Sequence, residues 1–134
     1  MNMFKSRAAF SGYSVDDLDK AKKFYSDVLG LELEDDSMGL RYRLPHNGNI
    51  FLYPKPDHKP ATFTVLNFIV EDIDEAVDEL SKQDVKFEIY EGFPFKQDEK
   101  GIARGIKANM GPDIAWFTDP AGNILSVLQE PPKK

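Results

Sequence analysis

The feature that most constrains this chain is that it repeats itself. Ser14-Val-Asp-Asp-Leu-Asp-Lys-Ala21 returns as Ile69-Val-Glu-Asp-Ile-Asp-Glu-Ala76. At an offset of 55 residues, Val15/Val70, Asp17/Asp72, Asp19/Asp74 and Ala21/Ala76 are identical, and Leu18/Ile73 is conservative. A second echo pairs Gly48-Asn49-Ile50 with Gly122-Asn123-Ile124, each opening a short apolar run. Two matches in the same order predict two copies of one module, roughly 5–56 and 61–130, within a single domain spanning 1–134. Between them, Tyr53-Pro-Lys-Pro-Asp-His-Lys-Pro60 carries three prolines and reads as a stiff connector.

Each copy predicts the order β-α-β-β-β. In the first, Ala9 to Val15 reads as a strand, and Asp17 can cap a helix by accepting from an orphan backbone N–H. Leu18, Ala21, Tyr25 and Val28 recur at helical spacing, and Gly30 supplies the stop. Leu31–Glu34, Leu40–Leu44 and Ile50–Tyr53 follow as short strands. In the second, Thr62–Val70 is the opening strand, and Asp72 with Glu75 makes a capping-box-like start. Ile73, Ala76, Val77 and Leu80 form the buried stripe of a helix that stops at Gln83-Asp84. Strands are expected at Lys86–Tyr90, Ile114–Phe117 and Ile124–Leu128, with Asp119-Pro-Ala-Gly122 as a type I turn. The fold class is therefore α+β.

Composition narrows the chemistry. The chain has no cysteine, so disulfides, thiolate catalysis and every cysteine-ligated metal site are excluded, and two histidines leave little for imidazole-rich centres. With 23 acidic against 17 basic residues, net charge −6, nucleic acid and anionic membrane surfaces are unsuitable partners. No apolar run approaches the ~20 residues of a membrane span. The opening MNMFKSRAAF lacks a signal-peptide core, so a cytoplasmic location is expected.

Side chains alternate along a strand, which sorts the strand residues onto two faces. Tyr13, Val15, Leu66, Phe68, Val70, Phe51, Tyr53, Leu125 and Val127 are assigned to the face the helices cover. The other face is assigned Phe10, Gly12, Ser14, Ile50 and Leu52 in the first module, and Val65, Asn67, Ile69, Ile124, Ser126 and Leu128 in the second. It is apolar with a few uncharged polar groups, as small-molecule pockets are. Either it lines an inner space between the halves or it is solid core.

Three stretches carry a family resemblance: Val15-Asp-Asp-Leu-Asp-Lys-Ala-Lys-Lys-Phe-Tyr-Ser-Asp-Val-Leu-Gly-Leu31, Val70-Glu-Asp-Ile-Asp-Glu-Ala76 and Phe117-Thr-Asp-Pro-Ala-Gly-Asn123. Together they resemble the glyoxalase/bleomycin-resistance/extradiol-dioxygenase superfamily, the vicinal oxygen chelate proteins. The resemblance implies two βαβββ modules whose mixed sheets curve into a cup with the helices outside, a ligand held within, and often a homodimer. Metal-dependent members place His or Gln seven residues before the Asp that opens each helix, and Glu four residues after the glycine of the closing turn. The matching positions here are Phe10, Val65, Leu52 and Ser126, none of them a good ligand for a divalent cation. The resemblance thus implies a cup without metal or other cofactor.

The remaining candidates are looser. His46 and His58 fall in loops and read either as turn residues or, if they reach the cup, as acid–base groups. The 23-residue stretch from Glu91 to Asp113 is much longer than its counterpart in the first module and reads as a lid carrying Asp98, Glu99 and Arg104, with Ile102–Ile106 as an added strand. Trp116 is either core or a cup wall that stacks on a planar ligand. Arg41 and Arg43 share one face of their strand, either solvated or holding a carboxylate.

The expected function is binding of an apolar or aromatic small molecule in a metal-free cup lined by Phe10, Ser14, Leu52, Val65, Asn67, Trp116 and Ser126. The rival is a glyoxalase-type lyase or isomerase, similar to lactoylglutathione lyase. It would use a non-standard metal site, or Glu99 or His58 without metal.

Overall fold

A computed structural model describes residues 4–91 and 96–132. It divides at the proline-rich connector into two compact units, 1–59 and 60–134. Each unit is a four-stranded mixed sheet with one helical segment on one face.

In the first unit the order is β1 (Ser11–Val15), α1 (Leu18–Lys22), a π-helical continuation (Lys23–Val28), β2 (Glu32–Asp35), β3 (Leu40–Leu44) and β4 (Gly48–Pro54). The sheet order is β1-β4-β3-β2, with β1 parallel to β4 and the other pairs antiparallel. In the second unit β5 (Thr64–Ile69), α2 (Ile73–Lys82), β6 (Ala103–Arg104), β7 (Asp113–Thr118) and β8 (Ile124–Gln129) give the order β5-β8-β7-β6, again with the first pair parallel. The repeat is therefore a βαβββ module present twice.

The shared sequence does the same local work in both. Asp17 accepts a hydrogen bond from the Lys20 N–H at 3.1 Å, and Asp72 accepts one from the Glu75 N–H at 3.1 Å. Each satisfies a donor that the first helical turn leaves without an intrahelical partner. Both helices leave through a left-handed residue, Gly30 at φ 70° and Asp84 at φ 66°.

Three expectations need correction. The first helix is not α throughout: from Lys23 it widens, with the Leu29 N–H reaching back five residues to the Phe24 carbonyl at 2.9 Å. The widened turn carries Tyr25 and Ser26 onto the sheet. The Tyr25 hydroxyl meets that of Tyr13 at 2.7 Å, and Ser26 Oγ meets the Tyr42 hydroxyl at 2.6 Å. Lys86–Tyr90 does not form a strand; it makes a single antiparallel bridge, Phe87 to Phe117. The Gln97 side chain takes over its backbone groups, accepting from the Tyr90 N–H at 2.7 Å and donating to the Glu88 carbonyl at 2.8 Å. The strand expected over Ile102–Ile106 shrinks to Ala103–Arg104. No helix among the described residues is long and apolar enough to cross a membrane.

Candidate functional site

Strand register decides which side chains share a face. In the first unit, Tyr13 and Tyr42 reach the helical segment through their hydroxyls, so they mark the covered face. Leu52 lies beside Tyr13 and Ile50 beside Tyr42, and both are fully buried there. Gly12 is partnered with Phe51, Ser14 with Tyr53 and Arg41 with Phe51, which puts these residues on the helix-free face. The expected assignment of β4 is thus reversed: Leu52 packs under the helix, and Phe51 stands beside Gly12 and Tyr53 beside Ser14. A slip of one residue exchanges the faces of a whole strand.

In the second unit Gln129 marks the covered face, because its Oε1 accepts from the Ile73 N–H at the start of α2, 3.0 Å away. Leu125 and Val127 share its parity. Ser126 is partnered with Asn67 on one side and Trp116 on the other, so all three lie on the helix-free face as a row across β5, β8 and β7. The parity that the sequence left open for Trp116 is thereby resolved. Ser126 is fully buried and donates to the Asn67 side-chain oxygen. Trp116 is buried and meets the Tyr90 ring edge-on at 5.5 Å. Burial raises the Tyr90 hydroxyl pKa, and the Glu88 carboxylate adds to the rise. Val65 precedes Asn67 by two residues, at an irregularity in the β5 register.

The two sheets can now be matched. Gly12–Phe51–Arg41 in the first corresponds to Asn67–Ser126–Trp116 in the second. The structural counterpart of Ser126 is therefore Phe51, not Leu52 as the glycine echo suggests. With Phe10 and Val65, the positions where metal-dependent relatives carry ligands hold two phenylalanines, a valine and a serine hydroxyl. A divalent cation needs several deprotonated or neutral donors converging on it, and this set does not fit one. Among the described residues, no three His, Asp or Glu side chains come together as a metal site either.

Beside Ser14 the structure adds a residue that spacing alone could not place. A turn in the connector, closed by the His58 N–H donating to the Lys55 carbonyl at 3.0 Å, brings His58 Nδ1 within 2.6 Å of Ser14 Oγ. His46 is exposed, in a left-handed turn at φ 61°.

The residues expected in a lid are engaged elsewhere. Asp98 accepts from the Lys100 and Ile102 backbone N–H groups at 2.9 Å each, closing its own loop. Arg104 bonds Asp74 of α2 through both terminal nitrogens, at 3.0 and 2.8 Å, and Asp98 through Nε at 3.1 Å. Arg104 holds the Asp74 carboxyl down to about 2, helped by Lys100, and its own pKa is raised in return. Asp98 and Arg104 thus brace the long loop against the helix on the covered face. Glu99 is exposed, and residues 92–95 of the same stretch lie outside the described residues.

Comparison with known proteins agrees with this architecture. A search of functionally curated proteins gives no match. Among solved structures, a glyoxalase family protein from Bacillus anthracis is 19% identical, with a TM-score of 0.64 over 96% of this chain and 99% of that one. An antibiotic-binding protein from a Streptomyces species is 20% identical, with a TM-score of 0.61 over 95% and 99% of the two chains. A member of the glyoxalase/bleomycin resistance protein/dioxygenase superfamily from Sphaerobacter thermophilus is 24% identical, with a TM-score of 0.64 over 92% and 98%. At these identities the likeness is one of fold. The family model for the Glyoxalase/Bleomycin resistance protein/Dioxygenase superfamily matches residues 8–127, and the chain belongs to that superfamily.

Proposed function

We propose that this protein binds an apolar or aromatic small molecule against the helix-free faces of its sheets, without a protein-held divalent metal. One observation carries the reading: where metal-dependent relatives present ligands, this chain has two rings, an alkyl side chain and one buried hydroxyl. Phe10, Phe51 and Tyr53 supply it in the first module. Trp116 supplies it in the second, beside the hydrogen-bonded Ser126–Asn67 pair. Aromatic walls with a few fixed polar groups suit a planar ligand, which gains contact area from the rings and orientation from the hydroxyl and amide. The antibiotic-binding Streptomyces protein of the same fold is a precedent for such use.

The test is a thermal-shift and tryptophan-fluorescence screen of planar aromatic compounds, run with and without a chelator. A compound that raises the melting temperature by the binding linkage, and quenches Trp116 equally in both conditions, supports the reading. Stoichiometric nickel, zinc or manganese in protein purified without chelator, with a metal-dependent rise in melting temperature, would sink it.

The Ser14–His58 pair favours a second reading, a metal-free lyase or isomerase of glyoxalase type. An imidazole bonded to a hydroxyl on a ligand-facing surface is placed for proton transfer. The hemithioacetal of methylglyoxal and glutathione is the substrate to try. Chelator-resistant turnover that His58→Gln abolishes supports this second reading; no turnover in the wild type removes it.

A further inference from the structure

We propose that the first module holds an anion site for the carboxylate of an aromatic or apolar acid. The inference rests on the reading of its helix-free face as a binding surface. The site is a cavity of about 410 Å³ whose lining includes Arg7, Phe10, Arg41, Asn47 and Asn49, with Ala8 and Ala9 between the first two. Its described lining contains two guanidinium groups and two amides and no carboxylate.

That is unusual in a chain of net charge −6. The other described arginines are paired, Arg43 with Glu34 at 2.9 Å and Arg104 with Asp74 at 2.8 Å, as are some lysines, Lys22 with Asp36 at 3.3 Å and Lys100 with Asp78 at 2.9 Å. Among the described residues Arg7 and Arg41 form no such pair. Asp35 is the cross-strand partner of Arg41, yet it accepts from the Ser37 N–H at 2.9 Å and serves its own turn. The Arg41 charge helps the Ser37 bonds to hold the Asp35 carboxyl low, but among the described residues no ion pair joins the two.

Two rings flank Arg41. Its guanidinium lies 4.6 Å from the Phe10 centroid and 5.6 Å from that of Phe51. A guanidinium held over a ring can still donate its edge N–H groups, in the fork that matches a carboxylate. Asn47 and Asn49 add amide donors on the same cavity wall. The same two phenylalanines offer apolar surface to the body of the ligand, and the cavity volume lies at the lower end of the roughly 300–1,000 Å³ of small-molecule sites. An acid with one or two rings meets both requirements.

The experiment is calorimetric titration with naphthoate and with its neutral amide, naphthamide, on the wild type and on Arg41→Gln, Arg7→Gln and Arg43→Gln. Arg7 lies in the exposed segment before β1, so its variant separates binding from folding. The expected result is that naphthoate binds roughly ten-fold or more tightly than naphthamide, and less so at high salt. Arg41→Gln and Arg7→Gln each weaken naphthoate by about ten-fold while leaving naphthamide unchanged, and Arg43→Gln changes neither. Equal affinity for acid and amide overturns the anion site and leaves the aromatic surface standing. An Arg43→Gln loss equal to that of Arg41→Gln overturns it too, reducing the effect to net charge. If neither probe binds, the anion site and the aromatic reading of this module fall together.

Discussion

The two modules share a strand order, a parallel first pair, an aspartate cap and a left-handed helix exit, yet they are filled differently. Under its helix the first holds tyrosines joined by hydroxyls: Tyr13 to Tyr25, and Tyr42 to Ser26. The second holds Leu125, Val127, Ala115 and Phe117, with no polar atom among their side chains. On the helix-free faces the first presents Phe10, Phe51 and Arg41, and the second Trp116, Ser126 and Asn67. The backbone plan follows from caps and turns, which the duplicated residues supply. What fills the plan follows from the residue at each strand position, and those residues differ between the modules.

If the second module depends chiefly on apolar packing, its largest response should come from its core aromatic. Phe117 is fully buried and meets Phe87 edge-on at 5.5 Å. Phe117→Ala should cost about 3–5 kcal/mol in chemical denaturation, from lost transfer energy and the cavity left behind. A loss under about 1 kcal/mol would mean this core is not packed as described. In the first module the matching question concerns the hydroxyls. Tyr25→Phe keeps the ring and removes the 2.7 Å bond to Tyr13, and should cost about 1 kcal/mol. No loss would make the tyrosine core equivalent to an apolar one and erase that half of the contrast.

The sequence made the plan legible because its signals are local. Asp17 and Asp72, Gly30 and Asp84, and the Asp119–Gly122 turn each act within a few residues of themselves. The β4 faces come out reversed because alternation alone does not fix which parity is covered, and the Gly48/Gly122 echo sets Leu52 against Ser126 where the strands match Phe51 to it. A signal for it did exist. Arg41 and Arg43 suit the helix-free face, and a hairpin closed between Leu44 and Gly48 pairs Arg41 with Phe51. The lost strand at Lys86–Tyr90 had no such signal, since the capture of its backbone by Gln97 is a tertiary event. His58 was visible only as a connector residue; a turn and a 44-residue separation bring it to Ser14.

A smaller effect tests the brace peculiar to the second module, the long loop held to α2 through Arg104 and Asp74. Arg104 holds the Asp74 carboxyl below its ordinary 3.8, at about 2. A depressed carboxylate adds stability that is present in full above its unfolded pKa and is lost as pH falls through the folded one. The wild type should therefore lose this increment between about pH 4 and pH 2, and Asp74→Asn should lack it at neutral pH. Asp74 is about half exposed, so solvent screening limits the difference to about 1 kcal/mol or less, smaller still at high salt. An unchanged pH dependence in Asp74→Asn would place the loop's support elsewhere.

The last comparison is between the two helix exits, where the modules use the same conformation with different residues and where the smallest expected change, at Asp84, falls. Gly30 and Asp84 sit at φ 70° and 66°. A Cβ built on Gly30 meets nothing within 4 Å, so Gly30→Ala tests the conformation without a clash. Alanine resists the left-handed region, and the variant should lose about 1 kcal/mol. Asp84 already carries that strain, only partly relieved by the tolerance of aspartate for it. Asp84→Gly should therefore gain a few tenths of a kcal/mol, the relief being offset by the larger chain entropy of glycine in the unfolded state. Opposite signs at the two exits would make the conformation, not the residue, the shared element of the repeat. A loss at both would mean that the Asp84 side chain contributes something the glycine exit does without.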